Sequence, residues 1–208
     1  MRRTLTTMTA ALLLGLTASA AVALTPTETV KTRVDDALLS LSRTSNPTAE
    51  ASERRRADVR RAADALFDFP DMSRRALGRH WTDRTPAERE EFVRLFTDLI
   101  ARSYIGKIDR YAGESIAYVG ERVDGEEASV RSQVVTAKGS KIPVEYRLHR
   151  ANDGWTAYDV LIENVSLVGA YRSQFDRIIQ AESYAALVER MRKKSFEATV
   201  AERGGKKL

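Results

Sequence analysis

Few side chains in this sequence could do chemistry. The 208-residue chain has two histidines and no cysteine, which removes thiol nucleophiles, disulfides and thiolate metal sites together. His80 and His149 are widely separated, and no third ligand accompanies either. His149 falls on the polar face of an alternating run and reads as a surface or hydrogen-bonded residue. Asp68, Asp71 and Asp159 could serve as acids or bases. Asp71, however, stands where a helix cap belongs, and Asp159 lies inside an apolar strand, where a carboxylate needs hydrogen-bond partners. No Gly-x-Ser-x-Gly elbow is present, and Gly106-Lys107 lacks the upstream glycine of a phosphate-cradling loop. Asn164-Val165-Ser166 fits a glycosylation sequon without carrying information here. The expectation is a protein with no catalytic residues, no metal and no cofactor.

Arginines form the one dense charged group: Arg54, Arg55, Arg56, Arg60 and Arg61, then Arg74, Arg75 and Arg79. Two readings stand, a solvated helix face or a docking surface for acidic partners or lipid headgroups.

The elements that must position these residues begin after an export signal. Arg2 and Arg3 precede an uncharged apolar stretch with Leu12, Leu13, Leu14 and Leu16, closed by Ala18-Ser19-Ala20 and Ala21-Val22-Ala23. That layout predicts a signal peptide over 1–23, cleaved after Ala20 or Ala23, with Ala23 preferred. The apolar run is shorter than the roughly 20 residues that span a bilayer. Arg2-Arg3 raises a twin-arginine route, but the flanking residues match it poorly and the general pathway is preferred. The formal net charge of +5 includes both arginines, so the exported chain is only mildly basic. Export makes nucleic acid an unsuitable partner and anionic lipid or acidic protein a suitable one.

Thr25-Pro26-Thr27-Glu28 is a capping box with proline at the first helical position, and it predicts a helix over about Pro26 to Ser42. A second helix is expected from Ala49 to Leu66 with Val59, Ala63 and Leu66 inward, then a short one capped by Asp71 and ended by Gly78. Thr85-Pro86-Ala87-Glu88 repeats the box ahead of Phe92, Leu95, Phe96, Leu99, Ile100 and Tyr104, one broad apolar face. Beyond Gly113 the period falls to two. Ile116-Tyr118, Val130-Val134, Ile142-Val144-Tyr146-Leu148 and Trp155-Ile162 read as four strands joined at Asp124-Gly125, Lys138-Gly139 and Asn152-Asp153-Gly154. From Leu167 the helical period returns. The fold class is therefore α+β, with a four-stranded antiparallel meander between helical segments: helical over 24–112, strands over 113–163, helical over 167–202, and a disordered tail over 203–208.

Phe67-Asp68-Phe69, Met72, Ala76-Leu77-Gly78, Trp81, Thr85, Phe92, Phe96 and Tyr104 stand in an order that resembles the MlaC family. So does the run Gly154-Trp155-Thr156-Ala157-Tyr158-Asp159-Val160, with Val165-Ser166-Leu167-Val168 and Tyr171-Arg172-Ser173-Gln174-Phe175. The resemblance covers about residues 60–180. It departs at Asn164, where family members usually carry glycine; asparagine tolerates the left-handed backbone better than most residues. The family, also called toluene-tolerance auxiliary proteins, implies an NTF2-like sheet wrapped by helices with an apolar pocket between them. It implies a single lipid-binding domain over 24–202, working as a monomer in the periplasm without stable membrane insertion. The partners implied are a phospholipid, an inner-membrane ABC transporter complex and an outer-membrane lipoprotein complex.

The apolar face of the third strand and the surfaces it should meet supply the candidate lipid-binding residues. These are Val144, Tyr146 and Leu148, with Val160, Ile162 and Val165, and on the helical side Tyr104 and Ile108. Each could equally be core. Three rivals remain at this stage: a carrier of another apolar molecule such as a hopanoid or an aromatic solvent, an interaction module with a filled interior, and an enzyme on the same scaffold.

Overall fold

Local capping chemistry sets where the helices start. The structure, a computed structural model, describes residues 24–42, 48–108, 114–136, 139–151 and 154–193. Helix α1 spans Pro26–Ser42. At its start the Thr25 N–H donates to Glu28 Oε2 at 2.8 Å and the Glu28 N–H donates to Thr25 Oγ1 at 3.2 Å, the reciprocal box read from the sequence. Helix α2, Ala49–Leu66, is capped by the Thr48 hydroxyl accepting from the Ala51 N–H, and it buries Val59, Ala62 and Leu66. Ala62 thus takes the inward place expected of Ala63. Helix α4, Pro86–Ile108, opens with the second box, Thr85 N–H to Glu88 Oε2 at 2.8 Å.

Helix α3, Phe69–Leu77, corrects one expectation. Its cap is Asp68, whose carboxylate accepts from the Asp71 N–H at 2.8 Å. Proline lacks an N–H, which costs nothing in the first turn, so the helix begins ahead of Pro70 rather than after it. Asp71 is left to pair with Arg75 Nε at 2.6 Å and with Arg74. Gly78, with φ of +58°, ends α3 as expected, and a 3-10 turn over Gly78–Trp81 follows.

The strands are β1 Ser115–Asp124, β2 Glu127–Val135, β3 Lys141–Ala151, β4 Gly154–Ile162 and β5 Val165–Ser166. They form one antiparallel sheet in sequence order, five strands where four were expected. The extra strand is two residues long, too short to show alternation. A hairpin makes it: Glu163 and Asn164 take φ of +50° and +66° between the paired Ile162 and Val165, the backbone sign of a type I′ turn. Helices α5, Leu167–Ala181, and α6, Tyr184–Arg192, complete the described chain.

Two packed clusters result. A helical cluster joins α3, α4, α5 and α6 through Met72, Leu77, Phe92, Phe96, Tyr171, Phe175 and Leu187. A second cluster seats Val30 of α1 and Leu66 of α2 on Ala128, Val130, Leu148, Trp155 and Ala157 of the sheet. Phe67 packs against both.

Asp159 joins the sheet to the helices. It is 5% exposed, and its carboxylate accepts from the N–H groups of Val160 at 2.9 Å and Val168 at 3.1 Å and from the Ser166 hydroxyl at 2.6 Å. Ser166 in turn caps α5 at Gly169 N–H. A negative group at a helix N-terminus meets both unpaired N–H groups and the positive dipole end. Asp159 therefore has the hydrogen-bonded, structural environment that its place in an apolar strand required.

Candidate functional site: the apolar face of the sheet

Strand register converts the candidate residues into rows. Tyr118 pairs with Ser132, Ser132 with Val144, Val144 with Ile162 and Ile162 with Val165, so one row crosses all five strands. The neighbouring row holds Val130, Tyr146 and Val160. The next holds Val123, Ala128, Leu148 and Ala157, with a bulge between Arg147 and Leu148 keeping Ala157 in line. Cross-strand partners share a face, so Val144, Tyr146, Leu148, Val160, Ile162 and Val165 all lie on one side of the sheet.

The cover over these rows is uneven. Leu148 is fully buried beneath Val30 and Leu66, a place in the packed core. Tyr146 is half-buried and Val160 is 8% exposed, yet Val160 is packed into neither cluster. In the third row Val144 and Ile162 are half-buried and Val165 is 45% exposed. Helix α1 follows the same gradient: Val30 is sealed, whereas Val34 and Leu38 are half-buried. Apolar area left in partial contact with water is a standing cost of about 25 cal/mol per Å², and the open row keeps that cost on β3, β4 and β5 at once.

From the helical side Tyr104 packs on the edge of the helical cluster. Ile108 is the last residue of α4, and its side chain lies outside the described residues. The sequence reading passed over Tyr118 and Ser132 as site residues, because only the register of β1 on β2 and of β2 on β3 places them in the row. Ser132 is 2% exposed and its hydroxyl donates to the Val144 carbonyl at 3.2 Å.

Burial holds the phenols of this region neutral. It pushes Tyr146 up to about 12. It also raises Tyr104, reinforced by Tyr171, and Tyr118, reinforced by Tyr146 and Asp35. The hydroxyls of Tyr104 and Tyr118 are buried and have no hydrogen-bond partner among the described residues.

The opposite face of the sheet is mostly polar, with Arg122, Arg131 and Arg147 exposed. His149 Nε2 lies 3.2 Å from Asp68 Oδ2 and its ring stacks on Tyr158, over which Arg75 sits at 3.9 Å. His80 pairs separately with Asp176 at 2.8 Å. No group of three or more His, Cys, Asp or Glu residues able to hold a metal exists among the described residues. Arg60, Arg61, Arg74, Arg75 and Arg79 pair with Asp98, Asp58, Asp71, Asp71 and Asp176, respectively. Much of the arginine group is thus answered by carboxylates of the chain itself. No helix among the described residues is long and apolar enough to cross a membrane.

The fold has counterparts among known proteins. A solved structure of a phospholipid-binding protein from Ralstonia solanacearum, in complex with a phospholipid, superposes with a TM-score of 0.69 at 27% identity. The similarity covers 79% of this chain and 93% of that one. The family described as MlaC protein matches residues 31–193. The chain belongs to the MlaC family.

Proposed function

We propose that this protein binds a phospholipid against the partly open rows of its sheet and carries it through the periplasm between membrane complexes, without catalysing a reaction on it. The observation that carries the reading is the similar fold solved with a phospholipid bound; the graded apolar face supplies a place for the acyl tails. Each methylene exposed to water costs about 0.8 kcal/mol, so two tails of about 15 carbons cost on the order of 20 kcal/mol to move bare. A carrier removes that barrier by offering surroundings about as apolar as the bilayer. Its affinity need only match that of the membrane, so direction is set by partners: an inner-membrane ABC transporter complex and an outer-membrane lipoprotein complex. The tails lie along Val144, Tyr146, Val160, Ile162 and Val165 with Tyr104 and Ile108 opposite, while the headgroup stays in water. The protein acts as a monomer and needs no cofactor.

Native mass spectrometry of the purified protein tests this directly. The expected result is a bound mass equal to a phospholipid, lost on delipidation and regained from vesicles. A hopanoid mass would redirect the reading to another apolar cargo, and delipidated protein that takes up nothing would end it. Val165→Glu should abolish uptake with the folded structure intact, because its site is already 45% exposed and surface changes cost within about 0.5 kcal/mol.

A further inference from the structure

We propose that the phenol groups of Tyr104 and Tyr118 donate hydrogen bonds to the ester carbonyl oxygens of the bound glycerophospholipid, so that the site reads the ester linkage as well as the hydrocarbon. This rests on the phospholipid reading above. The two residues come from different elements. Tyr104 is on α4 at the margin of the helical cluster, and Tyr118 is on β1 at the margin of the sheet cluster. Both side chains are half-buried, and both hydroxyls are buried without a partner among the described residues.

Other tucked-in hydroxyls of this protein are satisfied. Ser132 donates to the Val144 carbonyl, Thr156 to the Leu66 carbonyl at 3.1 Å, and Tyr184 to the Glu88 carbonyl at 3.2 Å. Ser73 also lacks a partner, but it is 0% exposed among the buried residues of α3 and out of a ligand's reach. An unmade hydrogen bond in a water-poor place is costly, and a group retained there is explained when a ligand completes it.

Ester carbonyls are suited to complete it. They accept and cannot donate, and they lose their water when the glycerol segment leaves the membrane interface. Burial keeps both phenols protonated and therefore able to donate. Asp35 lies close enough to Tyr118 to disfavour negative charge there, which makes a neutral ester a better occupant than the phosphate.

The test gives delipidated protein an equimolar mixture of diester and diether phospholipids with the same headgroup and chain length, and native mass spectrometry reads the bound ratio. The wild type should favour the diester by about 30-fold, the worth of two ordinary net hydrogen bonds at about fivefold each. The double variant Tyr104→Phe/Tyr118→Phe should bind both near parity while melting no lower than the wild type. Should the double variant fail to fold, each single variant must still reduce the ratio. Parity in the wild type, or a variant that keeps the wild-type ratio, overturns the inference. A wild type that takes up neither lipid overturns the phospholipid reading itself.

Discussion

The helical cluster and the apolar face of the sheet are built from similar residues and packed to opposite ends. In the cluster Phe92, Phe96, Tyr171 and Phe175 are each at most 1% exposed. Phe96 meets Tyr171 edge-on at 5.2 Å and Phe175 at 5.6 Å, and Phe92 meets Phe175 at 5.7 Å. Edge-to-face geometry of this kind fixes rings in one arrangement. On β3 and β4, exposure climbs from Leu148 and Ala157 at 0% to half-buried Val144 and Ile162, and it reaches 45% at Val165 on β5; at the β1 edge Val123, in the Leu148 row, is 49% exposed. The difference teaches that close packing is concentrated in the helices and where α1 and α2 meet the sheet, and that the Val165 end is packed more loosely.

The comparison breaks most visibly at Phe96. Phe96→Ala should destabilise the protein by about 3–5 kcal/mol, the usual cost of a large cavity in a close-packed core, as measured by chemical denaturation. Lipid affinity per folded molecule should not change. A variant that unfolds normally but loses its lipid would show that the helical cluster is itself part of the binding surface.

Within the sheet a matched pair sharpens the gradient. Leu148→Ala should cost about 3 kcal/mol, because Val30, Leu66 and Trp155 surround the site. Val144→Ala, one row over from Tyr146 and half-buried, should cost under about 1 kcal/mol in the lipid-free protein and weaken lipid uptake instead. Equal losses of stability would mean that the two rows are packed alike.

Much of the fold was legible in the sequence, and the part that was not has a clear physical cause. Helix starts are local: Thr25 with Glu28 and Thr85 with Glu88 cap α1 and α4 as their spacing dictates. Alternation placed Val144, Tyr146 and Leu148 on one face of β3. The cap of α3 was placed at Asp71 instead of Asp68, since an early helical position tolerates Pro70 and lets the helix start ahead of it. The strand count fell one short because β5 is set by two positive φ angles at Glu163 and Asn164, not by a hydrophobic period. Tyr118 entered the site only through pairing across three strands, and the difference between Leu148 and Val144 depends on where α1 lies. Both are long-range facts that no window of sequence holds.

A further cut falls at the joint between the regions. Asp159→Ala leaves the Val160 and Val168 N–H groups and the Ser166 hydroxyl without their acceptor. The cost should be about 2–3 kcal/mol, since buried donors left unpaired forfeit their full desolvation. Hydrogen exchange should locate the loosening at the first turn of α5. A uniform loss of protection would mean that the two regions already unfold as one unit.

The smallest expected effect comes from acid and bears on the helices that begin each region. The Thr25 N–H and hydroxyl hold Glu28 below its ordinary 4.5, and the equivalent bonds from Thr85 do the same for Glu88. At Asp71 burial pulls upward, but Arg75 and Arg74 outweigh it and leave the carboxyl below its ordinary 3.8. Each group binds its proton less readily folded than unfolded, so its contribution is complete above those ordinary values and is lost as pH falls through the folded ones. The thermal midpoint should therefore hold between pH 7 and 5 and decline once pH passes 4.5, by little, because Glu28 and Glu88 are largely solvated. Glu28 starts the helix whose first turns seal the Leu148 row of the sheet, and Glu88 starts the helix of the sealed cluster. Glu28→Gln and Glu88→Gln should each flatten the decline; lipid retention should also weaken below pH 4.5, and Glu28→Gln alone should remove that weakening. If Glu88→Gln changes retention equally, the cover over the sheet and the helical cluster respond to acid together, and the division between them is one of packing alone.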